Sequence, residues 1–209
     1  MRLAVFGGSG RTGGELLDLA SARGWSVRAL VRPASVCLSR PGLEILCGAL
    51  ESQADLLATA EGAEAVLCVF GPRSTRAVPF CAKATSGIIS AMRSAGTRRL
   101  LCLTGAMVGN LPANVSFGMR GMAALYRRQC PALAEDALGQ ERVVMASDLD
   151  WTLVKPPRLT NGGVPHRIRA DRALRIGLLS QVSRRGLAAF MLDEAGAGRH
   201  IRQRVYVSD

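Results

Sequence analysis

Leu3-Ala-Val-Phe-Gly-Gly-Ser-Gly-Arg-Thr-Gly13 stands at the head of the chain, and its reading decides the fold. Leu3 to Phe6 is a short apolar run of strand type. Gly7, Gly10 and Gly13 follow at G-x-x-G-x-x-G spacing. Leu16, Leu17, Leu19 and Ala20 then recur at a helical period until Gly24, a C-terminal stop. A turn this tight needs residues without a Cβ, and a pyrophosphate needs close approach of the backbone. The helix that begins here offers the phosphates free N–H groups and a partial positive charge. A glycine loop between a first strand and a first helix therefore predicts a dinucleotide site.

The pattern continues outward from that loop. Apolar runs at 26–31, 43–47, 65–70 and 100–104 alternate with helix-length stretches at 52–61 and 76–95. Strands joined by crossover helices imply a parallel sheet covered on both faces, and near-continuous apolar strands fit that burial. Residues 106–130 read as a loop with a short helix over the site. A helix at 132–147, a strand at 151–154 stopped by Pro156-Pro157, an Arg- and Gly-rich stretch at 158–182, a helix at 187–192 and a strand at 204–207 complete the chain. The expectation is an α/β, doubly wound parallel sheet of Rossmann type. Residues 1–209 form a single domain with a small C-terminal substrate-side region.

Composition sets the bounds. The 209 residues are 48% apolar, ample for a core, which rules out a disordered chain. No apolar run reaches the roughly 20 residues of a membrane helix, and the N-terminus does not read as a signal peptide. A cytoplasmic protein with no membrane partner is expected. The net charge is +11, and the two halves of the chain carry near-equal shares of it. With 4% aromatic residues there is no stacking platform, so no nucleic-acid partner is expected. Six cysteines without C-x-x-C spacing and only two histidines argue against a zinc site and for a reducing compartment. Cys47, Cys68 and Cys102 lie in apolar runs and are expected to pack as small hydrophobes.

The next residues discriminate between dinucleotides. A site for NAD places Asp or Glu about 20 residues beyond the loop, on the ribose 2′-hydroxyl. Between Leu19 and Leu43 there is no acidic residue, but there are Arg23, Arg28, Arg32 and Arg40. Arg32 stands at the end of the second strand, where the acid would be. Its guanidinium suits a 2′-phosphate, with Arg11 flanking it. The expected cofactor is NADP(H), and the expected partner a small-molecule substrate.

The glycine loop, Leu-Val-Arg at 30–32, Leu-Thr-Gly-Ala at 103–106 and Asp-Trp-Thr-Leu-Val-Lys-Pro-Pro-Arg-Leu-Thr at 150–160 together resemble the atypical short-chain dehydrogenase/reductases. More narrowly, the chain is similar to NAD(P)H-binding proteins of the biliverdin reductase B (flavin reductase) and NmrA-like kind, over nearly its whole length. The resemblance implies that Gly7, Ser9, Gly10, Arg11 and Thr12 hold the phosphates and Arg32 the 2′-phosphate. It sets Ala49 and Leu50 near adenine and Phe70 and Gly71 beneath the adenosine ribose. Thr104 and Gly105 come near the nicotinamide ribose, and Lys155, Pro156 and Pro157 close over the nicotinamide. Three departures matter: Ala49 replaces an Asp frequent in relatives, Gly105 a Ser of the flavin reductase, and Arg158 its His.

Typical short-chain reductases use Tyr-x-x-x-Lys to protonate a carbonyl oxygen. Here Tyr126 is followed four residues later by Cys130, so that dyad is absent. Hydride transfer belongs to the cofactor, and conjugated acceptors such as quinones or flavins take hydride with a weak acid or solvent supplying the proton. Thr104 is the first candidate beside the reacting atoms, as a positioning hydroxyl. Arg158 is a candidate to orient an anionic oxygen, and Tyr126 and His166 are candidate proton donors. Two functions fit: an NADPH-dependent reductase of a small conjugated or aromatic substrate, acting in biosynthesis, or a non-catalytic NADP(H)-sensing regulator that binds a protein partner. An epimerase or isomerase using bound NADP is a third.

Overall fold

β1 (Arg2–Phe6) turns Leu3 and Val5 to one face of a sheet and Ala4 and Phe6 to the other, and all four are buried. That is how a strand covered on both faces must behave. The structure is a computed structural model that describes residues 1–33, 39–109, 111–165 and 167–209. After β1 come α1 (Arg11–Ala22), β2 (Ser26–Val31), β3 (Leu43–Cys47), α2 (Gln53–Ala60), β4 (Ala65–Cys68), α3 (Cys81–Ser94) and β5 (Arg99–Leu103). Then follow α4 (Phe117–Gln129), α5 (Pro131–Met145), β6 (Asp150–Lys155), β7 (Arg158–Thr160), β8 (Arg169–Asp171), β9 (Gln181–Ser183), α6 (Arg184–Ala197) and β10 (Gln203–Ser208).

The main sheet has the order β3-β2-β1-β4-β5-β6-β10-β8, parallel throughout except for β8, which runs antiparallel to β10. This is the doubly wound α/β architecture that the alternating pattern predicts. Leu16, Leu17 and Ala20 of α1 join Leu187, Met191 and Leu192 of α6 on one face. Leu56 of α2, Ile88 and Met92 of α3 and Val144 of α5 cover the other. Each such fully buried aliphatic side chain stabilises the fold by about 1.5–3 kcal/mol relative to exposure. The strand order reverses between β2 and β4, on either side of β1, so the crevice of a doubly wound sheet opens beyond the carboxyl end of β1.

The differences from expectation lie where polar contacts overrule periodicity. The helix expected over 76–95 begins only at Cys81. Pro79 has no N–H to give, and the Asp136 carboxylate accepts from the N–H groups of Phe80, Cys81 and Ala82, which fixes the first turn there. The helix over 106–130 has 13 residues and is capped by Ser116, so it is not short. The stretch at 158–182 holds three brief strands with no alternating pattern to betray them. Cys68 and Cys102 are buried, in register on β4 and β5, whereas Cys47 on the outermost strand is exposed rather than packed.

Two excursions from the carboxyl edge of the sheet meet above it. The segment between β5 and α5 and the segment between β6 and α6 are stitched together at Val115 and Ile176, where the N–H of Ser116 donates to the Ile176 carbonyl. Ala106, Val115, Met119, Ile176 and Tyr206 form a small core of their own there. This cap combines the C-terminal region expected from the sequence with a part of the chain that precedes α5.

Candidate cofactor and reaction site

The glycine loop leaves β1 at the carboxyl edge, and each glycine answers a contact. Gly7 has φ +97°, and a Cβ there would stand 2.8 Å from the Phe70 nitrogen. A Cβ on Gly13 would stand 2.2 Å from the Gly7 carbonyl oxygen. Ser52, Ser116 and Ser183 cap α2, α4 and α6, and Asp136 caps α3. The N-cap of α1 is Gly10, which has no side chain to do so. The first turn of α1, like that of α5, thus has no side-chain cap among the described residues, and uncapped helix N–H groups are open to an anion. Gly13→Ala is expected to destabilise the fold by about 1–3 kcal/mol through overpacking and to remove dinucleotide binding. Urea denaturation and a cofactor titration check the two effects separately.

Arg184, which the sequence reading missed, starts α6 beside this loop. Partial burial and the nearby Arg11 guanidinium push its pKa down. Two cations at adjacent helix N-termini repel one another until an anion lies between them. The signal was available, since α6 opens on Arg184-Arg185 where the helix dipole favours acids, but nothing in the sequence placed it next to Arg11.

At the end of β2, the four arginines of the acid-free stretch separate by what they touch. Arg23 pairs with Asp193, Arg28 with Glu44 and Arg40 with Asp18. Arg32 is exposed and pairs with no carboxylate among the described residues. Ala49 and Leu50 follow β3, half-buried, and the Ala49 N–H donates to the Asp55 carboxylate at 2.9 Å. Phe70 follows β4 against Gly7, with Gly71 next in the chain, and the Phe70 ring lies 5.8 Å from that of Phe80.

Beyond β5 and β6 lies a buried polar cluster that the sequence reading found only in part. The Thr104 hydroxyl donates to Glu141 Oε1 at 3.0 Å. The Lys155 ammonium donates to the same oxygen and, at 2.9 Å, to the Val108 carbonyl. Both side chains of the Glu141–Lys155 pair are 1% exposed. Burial pushes the Lys155 pKa down, and Glu141 opposes that shift. Glu141 Oε2 is buried with no hydrogen-bond partner among the described residues. The ammonium of Lys155 is therefore held inside, on Glu141, and the chain continues from it into Pro156 and Pro157. There the Pro156 carbonyl accepts from the Ala106 N–H, which ties Gly105 and its neighbours to the end of β6.

Tyr126 and Arg158 have their contacts outside this cluster. Tyr126 sits at the end of α4, where burial, Cys130 and Cys81 raise its pKa. Arg158 is exposed and donates to Gln181. His166 falls outside the described residues. Tyr206 on β10 has its ring 6.0 Å from the Lys155 ammonium, and burial and Glu141 push its pKa up to about 12. A phenol raised from about 10 in the unfolded chain contributes stability in full below pH about 10, and that stability is lost as pH climbs toward its folded value. Ultraviolet titration of phenolate should show a last step near pH 12 that Tyr206→Phe removes.

A doubly wound sheet whose first helix keeps an uncapped N-terminus at the switch point defines a Rossmann-type dinucleotide-binding protein. The chain belongs to the NAD(P)H-binding family, matched over residues 7–196. Its fold is similar to that of a short-chain dehydrogenase/reductase from Veillonella parvula in complex with NADP, with a TM-score of 0.81 at 13% identity over 100% of this chain and 94% of that one. It is similar too to an anaerobilin reductase from Escherichia coli O157:H7, with a TM-score of 0.82 at 18% identity over 100% and 97% of the two chains. An oxidoreductase from Lactococcus lactis gives 0.78 at 15% identity, over 100% and 91%. No helix among the described residues is long and apolar enough to cross a membrane.

Proposed function

We propose that the protein is an NADPH-dependent reductase that delivers hydride to a small conjugated acceptor of quinone or flavin type. Gly7, Ser9, Gly10, Arg11 and Thr12 hold the phosphates through backbone N–H groups and charge, and Arg184 supports Arg11 there. Arg32 takes the 2′-phosphate, Ala49 and Leu50 border adenine, and Phe70 and Gly71 the adenosine ribose. Thr104 and Gly105 lie along the nicotinamide ribose, and Pro156 and Pro157 cover the nicotinamide. Bound NADPH supplies the hydride.

The Thr104 hydrogen bond carries the choice of acceptor. A hydroxyl that gives its proton to a buried carboxylate presents lone pairs, not a proton, to the crevice. Thr104 is then a positioning acceptor, and among the described residues no strong acid stands beside it. Acceptors whose reduced form is a stabilised, weakly basic anion need none, since solvent completes the protonation, and Arg158 can steady the anionic oxygen. Quinones and flavins meet that condition, whereas simple ketones do not. The test is anaerobic oxidation of NADPH by the purified protein with a panel of naphthoquinones, FMN and simple ketones, followed through the nicotinamide absorbance. Turnover confined to the conjugated acceptors is expected. Tight NADPH binding with no turnover on any of them would transfer the protein to the sensor class.

A further inference from the structure

Divided at mid-chain, the positive charge looks evenly spread, but much of it lies in the two segments that meet in the cap. The two cap segments, 105–131 and 156–183, carry eight arginines against a single acid, Asp171. Arg127, Arg128, Arg167, Arg172 and Arg175 are exposed, and none of them pairs with a carboxylate among the described residues. The apolar surface of the cap is as unusual. α4 buries Met119 and Ala123 inward yet also presents Met122 and Leu125 outward, 44% and 53% exposed. A helix apolar on both sides is ordinarily an interior one. Phe117 at its start is 93% exposed, and Leu179 is 92% exposed. Leu178 packs over Gly118, a Cβ on which would stand 2.7 Å from the leucine side chain, and this joins the two patches into one.

Against the expectation of no membrane partner, we propose that this cap docks the protein on an anionic lipid surface, Phe117 and Leu179 entering the interface and the arginines meeting the headgroups. Almost complete exposure of Phe117 and Leu179 means that they project from the surface. A small-molecule pocket would instead enclose its lining. A second copy is disfavoured by charge, because a two-fold contact would set one arginine face against its twin. A lipid surface satisfies both halves of the patch at once, apolar side chains below a basic rim. The cap stands at the carboxyl edge of the sheet, beside Thr104. On the reductase reading, a lipid-dissolved acceptor would enter from the bilayer side. The docking itself does not depend on that reading.

The experiment is co-sedimentation of the purified protein with vesicles of phosphatidylcholine alone and with phosphatidylglycerol added. Each arginine near such a surface contributes about fivefold to partitioning. Arg127→Glu/Arg128→Glu is therefore expected to lower binding to the anionic vesicles by about 25-fold or more, and added salt to weaken it. Phe117→Ser/Leu179→Ser should lower it at least about tenfold while leaving NADPH affinity and the denaturation midpoint unchanged. Equal binding to both vesicle types, no binding to either, or a concentration-dependent dimer abolished by Phe117→Ser/Leu179→Ser would each overturn the proposal. NADPH turnover in solution without vesicle binding would overturn the docking alone and leave the reductase reading standing.

Discussion

Glu141→Ala is expected to destabilise the protein by about 3–5 kcal/mol, because it strands the buried Lys155 ammonium. With the carboxylate gone, the ammonium keeps the Val108 carbonyl as its remaining acceptor among the described residues, in a site where its side chain is 1% exposed. Domains of this kind have about 5–15 kcal/mol in all, so the variant should show a sharply lower urea midpoint. The interpretation can be separated from simple cavity formation. Glu141→Leu combined with Lys155→Met removes both charges at similar volume, and such replacements of a buried pair are neutral or stabilising by about 1–4 kcal/mol. Recovery of most of the lost stability in the double variant is expected. A Glu141→Ala variant within about 1 kcal/mol of the parent would mean that the ammonium finds water or another partner, and that the pair does not hold this corner of the site.

Arg32→Asp should invert the cofactor preference. If Arg32 binds the 2′-phosphate, its loss removes hydrogen bonds to a charged group worth about 1.5–3 kcal/mol each, which weakens NADPH by about tenfold to a hundredfold. The new carboxylate would at the same time accept from the 2′-hydroxyl of NADH and repel the 2′-phosphate. Arg28→Asp is the control. Arg28 holds Glu44 and the carbonyls of Ala58 and Glu61, so its substitution should lower stability and leave the ratio of the two affinities unchanged. Fluorescence titration of each variant with both cofactors decides the matter. An unaltered ratio in Arg32→Asp would remove Arg32 from the site.

Much of the fold was legible because its signals are local. The apolar runs of β1, β4 and β5 lie where strand type and burial agree, and the glycine loop marks the turn between the first strand and helix. The start of α3 was not legible, since it depends on Asp136, which is 55 residues from Cys81 in sequence. The three short strands after Pro157 have too few residues to show a period. For the site, Arg32 stood out through the absence of any competing acid, and the structure sharpened that by pairing its three companions elsewhere. Glu141 went unnoticed because an acid on a helix ordinarily faces solvent. Only the crossing of α5 over β6 brings it to Lys155 and Thr104. The basic cap escaped for a related reason, since its two segments are separated in sequence by α5 and β6 and meet only through Val115 and Ile176.

The most direct test of the central claim is a calorimetric titration of the unmodified protein with NADPH and with NADH under one buffer and salt condition. The account predicts NADPH binding at least about tenfold tighter, the equivalent of one strong charge-assisted contact to the 2′-phosphate. Equal affinities, or a preference for NADH, would contradict it.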